Sequence, residues 1–242
     1  MISAKPPSSG GFVVIENNFL SLFTRMDIPV YIFFIGISFI ASAINTFKNP
    51  VDKLYLKAFP FYLGITFIIE SVGNYRWSRG LTTDHLYSFF GVFEFLFYSF
   101  ILHQSLHSKK ARLMVQVLMV LYPVVVLLNV LFIQIEGFHS ITYALGCLII
   151  VSMCIYYFLE LFQSPNSIEL TREPAFWICT ALLFFYCCTF PIFSLTNFIR
   201  NLPKVIINNI SALLNLMNCL LYSLFTIAFL CRIRIRKSMS LS

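Results

Sequence analysis

Two glutamates stand where a carboxyl group is expensive to keep. Glu70 lies in the stretch FYLGITFIIESVG and Glu94 in LYSFFGVFEFLFYSF, each inside an apolar run with no lysine or arginine at a comparable depth. Ionising a carboxyl in hydrocarbon is costly unless it is protonated, paired or wetted, so such a residue marks a functional site by default. Two chemistries suit it: acid and base work, or anchoring of a ligand's polar group. A second unusual pattern is NNISALLNLMNCLLYSLF, residues 208–225, which carries four asparagines in an otherwise apolar run. At about 100° per residue, Asn208, Ser211, Asn215, Asn218, Tyr222 and Thr226 fall within an arc of about 80° on one helix. An amide facing lipid has no partner, so this seam must face other helices or a water-filled cavity.

The carboxyl groups have companions at helical spacing. Tyr87, Gly91, Tyr98 and Ser105 share a face with Glu94, and Tyr62, Thr66 and Gly73 share one with Glu70. At about 1.5 Å per residue, Glu94 and Asn215 fall near mid-depth, while Glu70, Asn208 and Asn129 lie nearer the outer surface. If the second, third and seventh helices are neighbours, Glu70, Glu94, Asn208, Asn215 and Asn218 line one pocket opening outward, walled by Tyr87, Tyr98 and Tyr222. Glu160, near the inner end of the fifth helix, is expected to snorkel to the interface.

Other chemistries find little support. His103 and His107 have the i, i+4 spacing of metal ligands, but no acidic third ligand lies near and the pair straddles the basic HSKKAR loop. His85 and His139 belong to the outer rim. A zinc hydrolase of the seven-helix type needs histidines and an aspartate within its spans, and no aspartate sits inside one. The seven cysteines lie in or beside apolar segments without a CxxC pair and read as packing residues. No GxSxG, HExxH, P-loop or dinucleotide fingerprint is present, so neither a metal nor a cofactor is expected. Seven spans do not halve evenly and no internal repeat is visible, which weighs against a transporter built of two related halves.

These residues need a scaffold, and composition names it. Of 242 residues, 59% are hydrophobic and 11% charged, against about 25% charged in a soluble domain. The chain reads as all-α, a polytopic membrane protein with spans near 28–46, 55–73, 85–105, 113–134, 140–162, 175–197 and 205–231. Residues 1–27 form a flexible tip and an interfacial segment without a signal peptide's pattern, 28–231 the seven-helix domain, and 232–242 a basic tail. With the N-terminus outside, eleven of the seventeen lysines and arginines fall on the inner side, so the positive-inside rule predicts N-out and C-in. Arg232, Arg234, Arg236 and Lys237 of RIRIRK anchor that topology or contact a cytoplasmic partner or anionic lipid. The net charge of +7 resides in short loops rather than on a soluble basic face, which excludes a nucleic-acid partner. Pro123 and Pro191 are expected to kink their helices beside the seam. Ser38, Ser42 and Asn45 of GISFIASAIN form a close-packing stripe.

Seven helices, an outer N-terminus, an inner C-terminus and a polar core biased outward resemble the membrane-embedded modules of bacterial seven-helix sensors. That resemblance covers residues 28–231 in topology and implies signal reception in a bacterial inner membrane. The short tail after Arg232 lacks an effector domain, so output would pass to a separate cytoplasmic partner or a lipid. The expected function is a non-enzymatic, receptor-like protein that binds a small or lipid-like ligand, with membrane lipids and a second copy as further partners. Two alternatives use the same residues: an intramembrane lipid-modifying enzyme or small transporter working through Glu70 and Glu94, and a scaffold subunit whose seam only assembles helices.

Overall fold

The computed structural model describes residues 29–48, 53–133, 139–163, 173–195 and 203–239, the backbone alone at 204, 205, 207, 208 and 232–239. They form seven α-helices: α1 (Val30–Lys48), α2 (Leu54–Ser78), α3 (Asp84–Ser105), α4 (Lys109–Phe132), α5 (Ser140–Gln163), α6 (Pro174–Ser194) and α7 (Lys204–Met239). Every helix contains a segment long and apolar enough to cross a bilayer. Even the shortest, α1 with 19 residues, reaches about 28 Å against a hydrocarbon core of about 30 Å. Large side chains such as Ile37, Phe61, Val120 and Leu128 point outward, exposed, as lipid-facing residues do and core residues of a soluble bundle do not. The chain is an integral membrane protein, with seven helices among the described residues long and apolar enough to span the bilayer.

Two helices run furthest past the ends of their expected spans. α2 continues beyond 73 to Ser78, where a Schellman motif stops it: Gly80 N–H donates to Trp77 O (2.9 Å), Leu81 N–H donates to Arg76 O (3.0 Å), and Gly80 takes the left-handed φ of 69°. The Arg76 guanidinium donates to Thr82 O from Nε and Nη2 (3.2 and 2.9 Å) and holds the turn into α3. α7 continues beyond 231 to Met239, because RIRIRKSM holds neither glycine nor proline to end it. The tail expected from residue 232 is therefore a helical extension of α7 in its backbone. The side chains of Arg232, Arg234, Arg236 and Lys237 lie outside the described ones.

The helices pack in chain order around a ring, each against the next, and α7 closes it on α1; α3 also lies against α5 across the interior. The N-terminal face carries the start of α1 and the α2–α3 turn, and the C-terminal face carries the α1–α2 and α3–α4 connections. Close approach is bought with small residues at one tight point: Tyr122 Oη of α4 donates to Thr142 O of α5 (3.1 Å), and a Cβ at Gly146 would stand 2.7 Å from that hydroxyl. Ser38, Ser42 and Asn45 of α1 are fully buried, the packing surface expected of them. Below the ring's centre, Phe59 of α2 meets Phe225 and Phe229 of α7 edge-on at 5.3 and 5.1 Å, and Tyr62 stacks on Phe97 of α3 at 4.0 Å. These aromatic contacts join α2, α3 and α7, although the long flanks of α7 lie on α1 and α6.

On the C-terminal face, Glu160 of α5 reaches the α3–α4 connection, where loop amides rather than water receive it. Its carboxylate accepts the backbone N–H groups of His107 (2.8 Å) and Ser108 (3.0 Å), and its side chain is only 14% exposed. Those amides precede α4, whose first turn leaves backbone donors without intrahelical partners, and a carboxylate there also complements the helix dipole. Lys53 and Glu173 pair across the same face at 2.7 Å. Lys53 is exposed and Glu173 partly so, and a solvent-screened pair of this kind contributes roughly 0–1 kcal/mol.

Candidate functional site

Glu70 and Glu94 each receive two tyrosine hydroxyls, in different ways. Glu70 Oε2 accepts from Tyr31 Oη of α1 (2.8 Å) and Tyr87 Oη of α3 (3.2 Å). Two hydroxyl hydrogens serve two contacts, and Oε1 has no hydrogen-bond partner among the described residues. Glu94 Oε1 accepts from Tyr62 Oη of α2 and from Tyr98 Oη one turn along α3, both at 3.1 Å. The two hydroxyls also lie 2.6 Å apart. Glu94 and these two tyrosines thus form one compact set of three oxygens that ties α2 to α3. Glu94 is buried and Tyr62 and Tyr98 are fully so.

Local sequence explains the placement. Tyr98 follows Glu94 by four residues, so both project from one face of α3. Gly73 lets Tyr87 reach Glu70, because a Cβ at that position would collide with the Tyr87 ring, Cζ at 2.9 Å included. Gly91 similarly faces the Tyr143 ring, whose Cδ2 would lie 3.3 Å from an added Cβ. Thr66 returns its hydroxyl to Tyr62 O (2.9 Å), satisfying itself within α2.

The two carboxyl groups line one cavity of about 360 Å³. Of the eight residues expected at a pocket, Glu70, Glu94, Tyr87, Asn215, Asn218 and Tyr222 line it, joined by Ser211 of the seam. Tyr98 stands behind Glu94 as its hydrogen-bond donor rather than in the wall. The Asn208 side chain lies outside the described ones. Asn218 uses its Nδ2 on its own helix, donating to Leu214 O at 3.0 Å, so part of the seam's polarity is satisfied along α7. Asn215 and Ser211 are exposed and line the cavity, so it opens rather than closing around a void.

Sequence reasoning missed several walls. Tyr31 stands 39 residues from Glu70, and no spacing rule connects the start of α1 to the middle of α2. Tyr143 of α5 and Phe185 and Phe193 of α6 also line the cavity, from helices whose aromatic residues read as ordinary lipid or core residues. Tyr62 was legible as a face-mate of Glu70, yet its hydroxyl serves Glu94 on the neighbouring helix. Pro191 lies one turn from the end of α6, just before Phe193, and Pro123 adjoins the Tyr122 contact; neither residue lines the cavity.

No group of three or more histidine, cysteine, aspartate or glutamate side chains among the described residues is arranged to hold a metal ion. The arrangement suits a ligand that can meet carboxylate, amide and hydroxyl groups at one end and aromatic rings around its body. No protein-family model, curated protein or solved structure matches the chain.

Proposed function

We propose that this protein is a receptor-like or sensor-like membrane protein that binds a small or lipid-like ligand in the cavity lined by Glu70, Glu94, Asn215, Asn218, Tyr87 and Tyr222. The observation that carries this reading is the convergence of α1, α2, α3, α5, α6 and α7 on one open cavity holding two intramembrane carboxyl groups. Polar groups that served only to bind helices together would be consumed in helix-to-helix contacts. Here Glu70 Oε1 is left without a described partner, and Asn215 and Ser211 remain exposed within the wall.

Because six helices contribute walls, a ligand that prefers one helix arrangement shifts the population toward it. α7 spans the whole distance from the cavity to the RIRIRK segment in one helix, which suits it to carry the change to Arg232, Arg234, Arg236 and Lys237 and a cytoplasmic partner. This reading takes the N-terminal face as outside and the C-terminal face as cytoplasmic, on the positive-inside rule. It takes the membrane as a bacterial inner membrane and admits a homo-oligomer.

A second reading rests on the same two carboxyl groups. Their unlike surroundings are the arrangement that separates an acid from a base, and an enzyme or proton-coupled transporter would use Glu94 for proton transfer. The deciding experiment is native mass spectrometry of protein extracted directly into lipid nanodiscs, with Asn215→Leu/Glu94→Leu as control. A retained species lost in the control is the expected result, and a clean ligand-free mass for well-folded wild type would overturn the receptor reading in favour of a scaffold. Turnover or proton coupling abolished by Glu94→Gln would instead establish the second reading.

A further inference from the structure

We infer that the ligand of this cavity is an organic monocation, a primary or quaternary ammonium ion, anchored on Glu70 with its body against aromatic walls. The inference rests on the ligand-binding reading above and goes beyond it in naming the ligand's charge and chemical class.

Charge counting comes first. Among the described residues, the lining of the cavity includes no lysine, arginine or histidine, so nothing in its wall neutralises a carboxylate. A buried carboxylate without a counter-charge is strongly disfavoured and takes either a proton or a cation. The two glutamates divide these roles. Glu94 is buried among the fully buried Tyr62 and Tyr98 while Glu70 is only half-buried, so a charge costs more on Glu94 and this carboxyl takes the proton. Around Glu70, both hydrogens are already donated to Oε2 and Oε1 has no described donor. Glu70 therefore presents one uncompensated acceptor to the cavity, which matches one positive charge.

The walls decide between an inorganic and an organic ion. A bare metal ion wants several oxygen ligands at close range, whereas this cavity offers about 360 Å³ and rings. Tyr143, Tyr222, Phe90, Phe185 and Phe193 all line it. Aromatic faces attract ammonium groups most strongly when water is excluded, and a carboxylate beside them supplies the opposite charge. Asn215 supplies an amide for a hydroxyl or a second polar group on the ligand.

The test uses the full chain in nanodiscs at neutral pH and two pairs of probes matched in shape: choline with 3,3-dimethylbutan-1-ol, and phenethylamine with propylbenzene. Binding is read as equilibrium affinity and as the shift in thermal unfolding. The expected result is that at least one cation binds about tenfold or more tightly than its neutral counterpart, that Glu70→Gln removes the preference, and that Glu173→Gln, which alters a carboxylate outside the cavity that pairs with Lys53, retains it. Equal binding of cation and neutral counterpart to wild type overturns the charge assignment while leaving the ligand pocket standing. Loss of the preference in Glu94→Gln with retention in Glu70→Gln overturns the anchor. Binding of none of the four probes by protein that still melts cooperatively overturns the organic-cation inference, and the retained-mass experiment then judges the pocket on its own.

Discussion

Tyr98 touches both Glu94 and Tyr62, and its hydroxyl is the point where α2 and α3 are tied at mid-depth. Replacing it by phenylalanine keeps the ring against Phe225 and Tyr186 and removes the hydroxyl alone. Tyr98→Phe is expected to lower stability by roughly 1–3 kcal/mol, because a buried carboxyl loses a donor; denaturant unfolding in micelles would measure it, and a change within about 0.5 kcal/mol would contradict the network. His139, just outside α5, makes a second residue-scale prediction. Burial pushes its imidazole below the usual range, with His85 acting in the same direction. A histidine whose folded-state affinity for protons is lowered contributes stability in full above its unfolded pKa of about 6.5, and that contribution fades as pH falls through the folded value. Thermal unfolding should therefore shift downward between about pH 8 and pH 5.5, and His139→Gln should flatten the difference.

At the scale of elements, the glycines separate positions that look alike in sequence. Gly36 and Gly73 both lie inside helices, yet a Cβ at Gly36 meets nothing closer than Phe67 Cε2 at 4.0 Å, while one at Gly73 strikes the Tyr87 hydroxyl and ring. Gly36→Ala is expected to stabilise by up to about 1 kcal/mol through helix propensity. Gly73→Ala is expected to destabilise by about 1–3 kcal/mol and to displace Tyr87 from Glu70. Unfolding midpoints of the two variants moving in the same direction would contradict this packing. The same-face groupings of Tyr87, Gly91, Glu94 and Tyr98, and of Thr66, Glu70 and Gly73, could be read from the helical period alone. Which neighbour each group meets could not, since periodicity gives an angle around a helix and says nothing of what stands opposite. Glu160 shows the limit: its depth was legible, but the loop amides it binds come from 52 and 53 residues away.

For the whole molecule, the proposed orientation, N-terminus outside and C-terminus inside, rests on the unequal share of lysines and arginines that the positive-inside rule assigns to the two sides. A reporter fused after Ser242 that is active only in the cytoplasm is expected to be active, and the same reporter at the N-terminus inactive; the reverse pattern would invert the topology and place the cavity toward the cell interior.

The amino-acid sequence by itself determined the class, the seven spans and the polar faces. Each follows from local quantities: the length of an apolar run, the period of a helix and the cost of a charge in hydrocarbon. Tertiary structure alone decided that α7 closes the ring on α1, that α1, α5 and α6 help wall the cavity, and that the two carboxyl groups receive different partners. Tyr31 reaches Glu70, and Tyr62 serves Glu94, only because particular helices lie side by side. Seven apolar helices can be ordered around a ring in many ways at nearly the same cost in lipid contact. The choice among them rests on packing at small residues such as Gly73 and Gly146 and on satisfying a few buried polar groups.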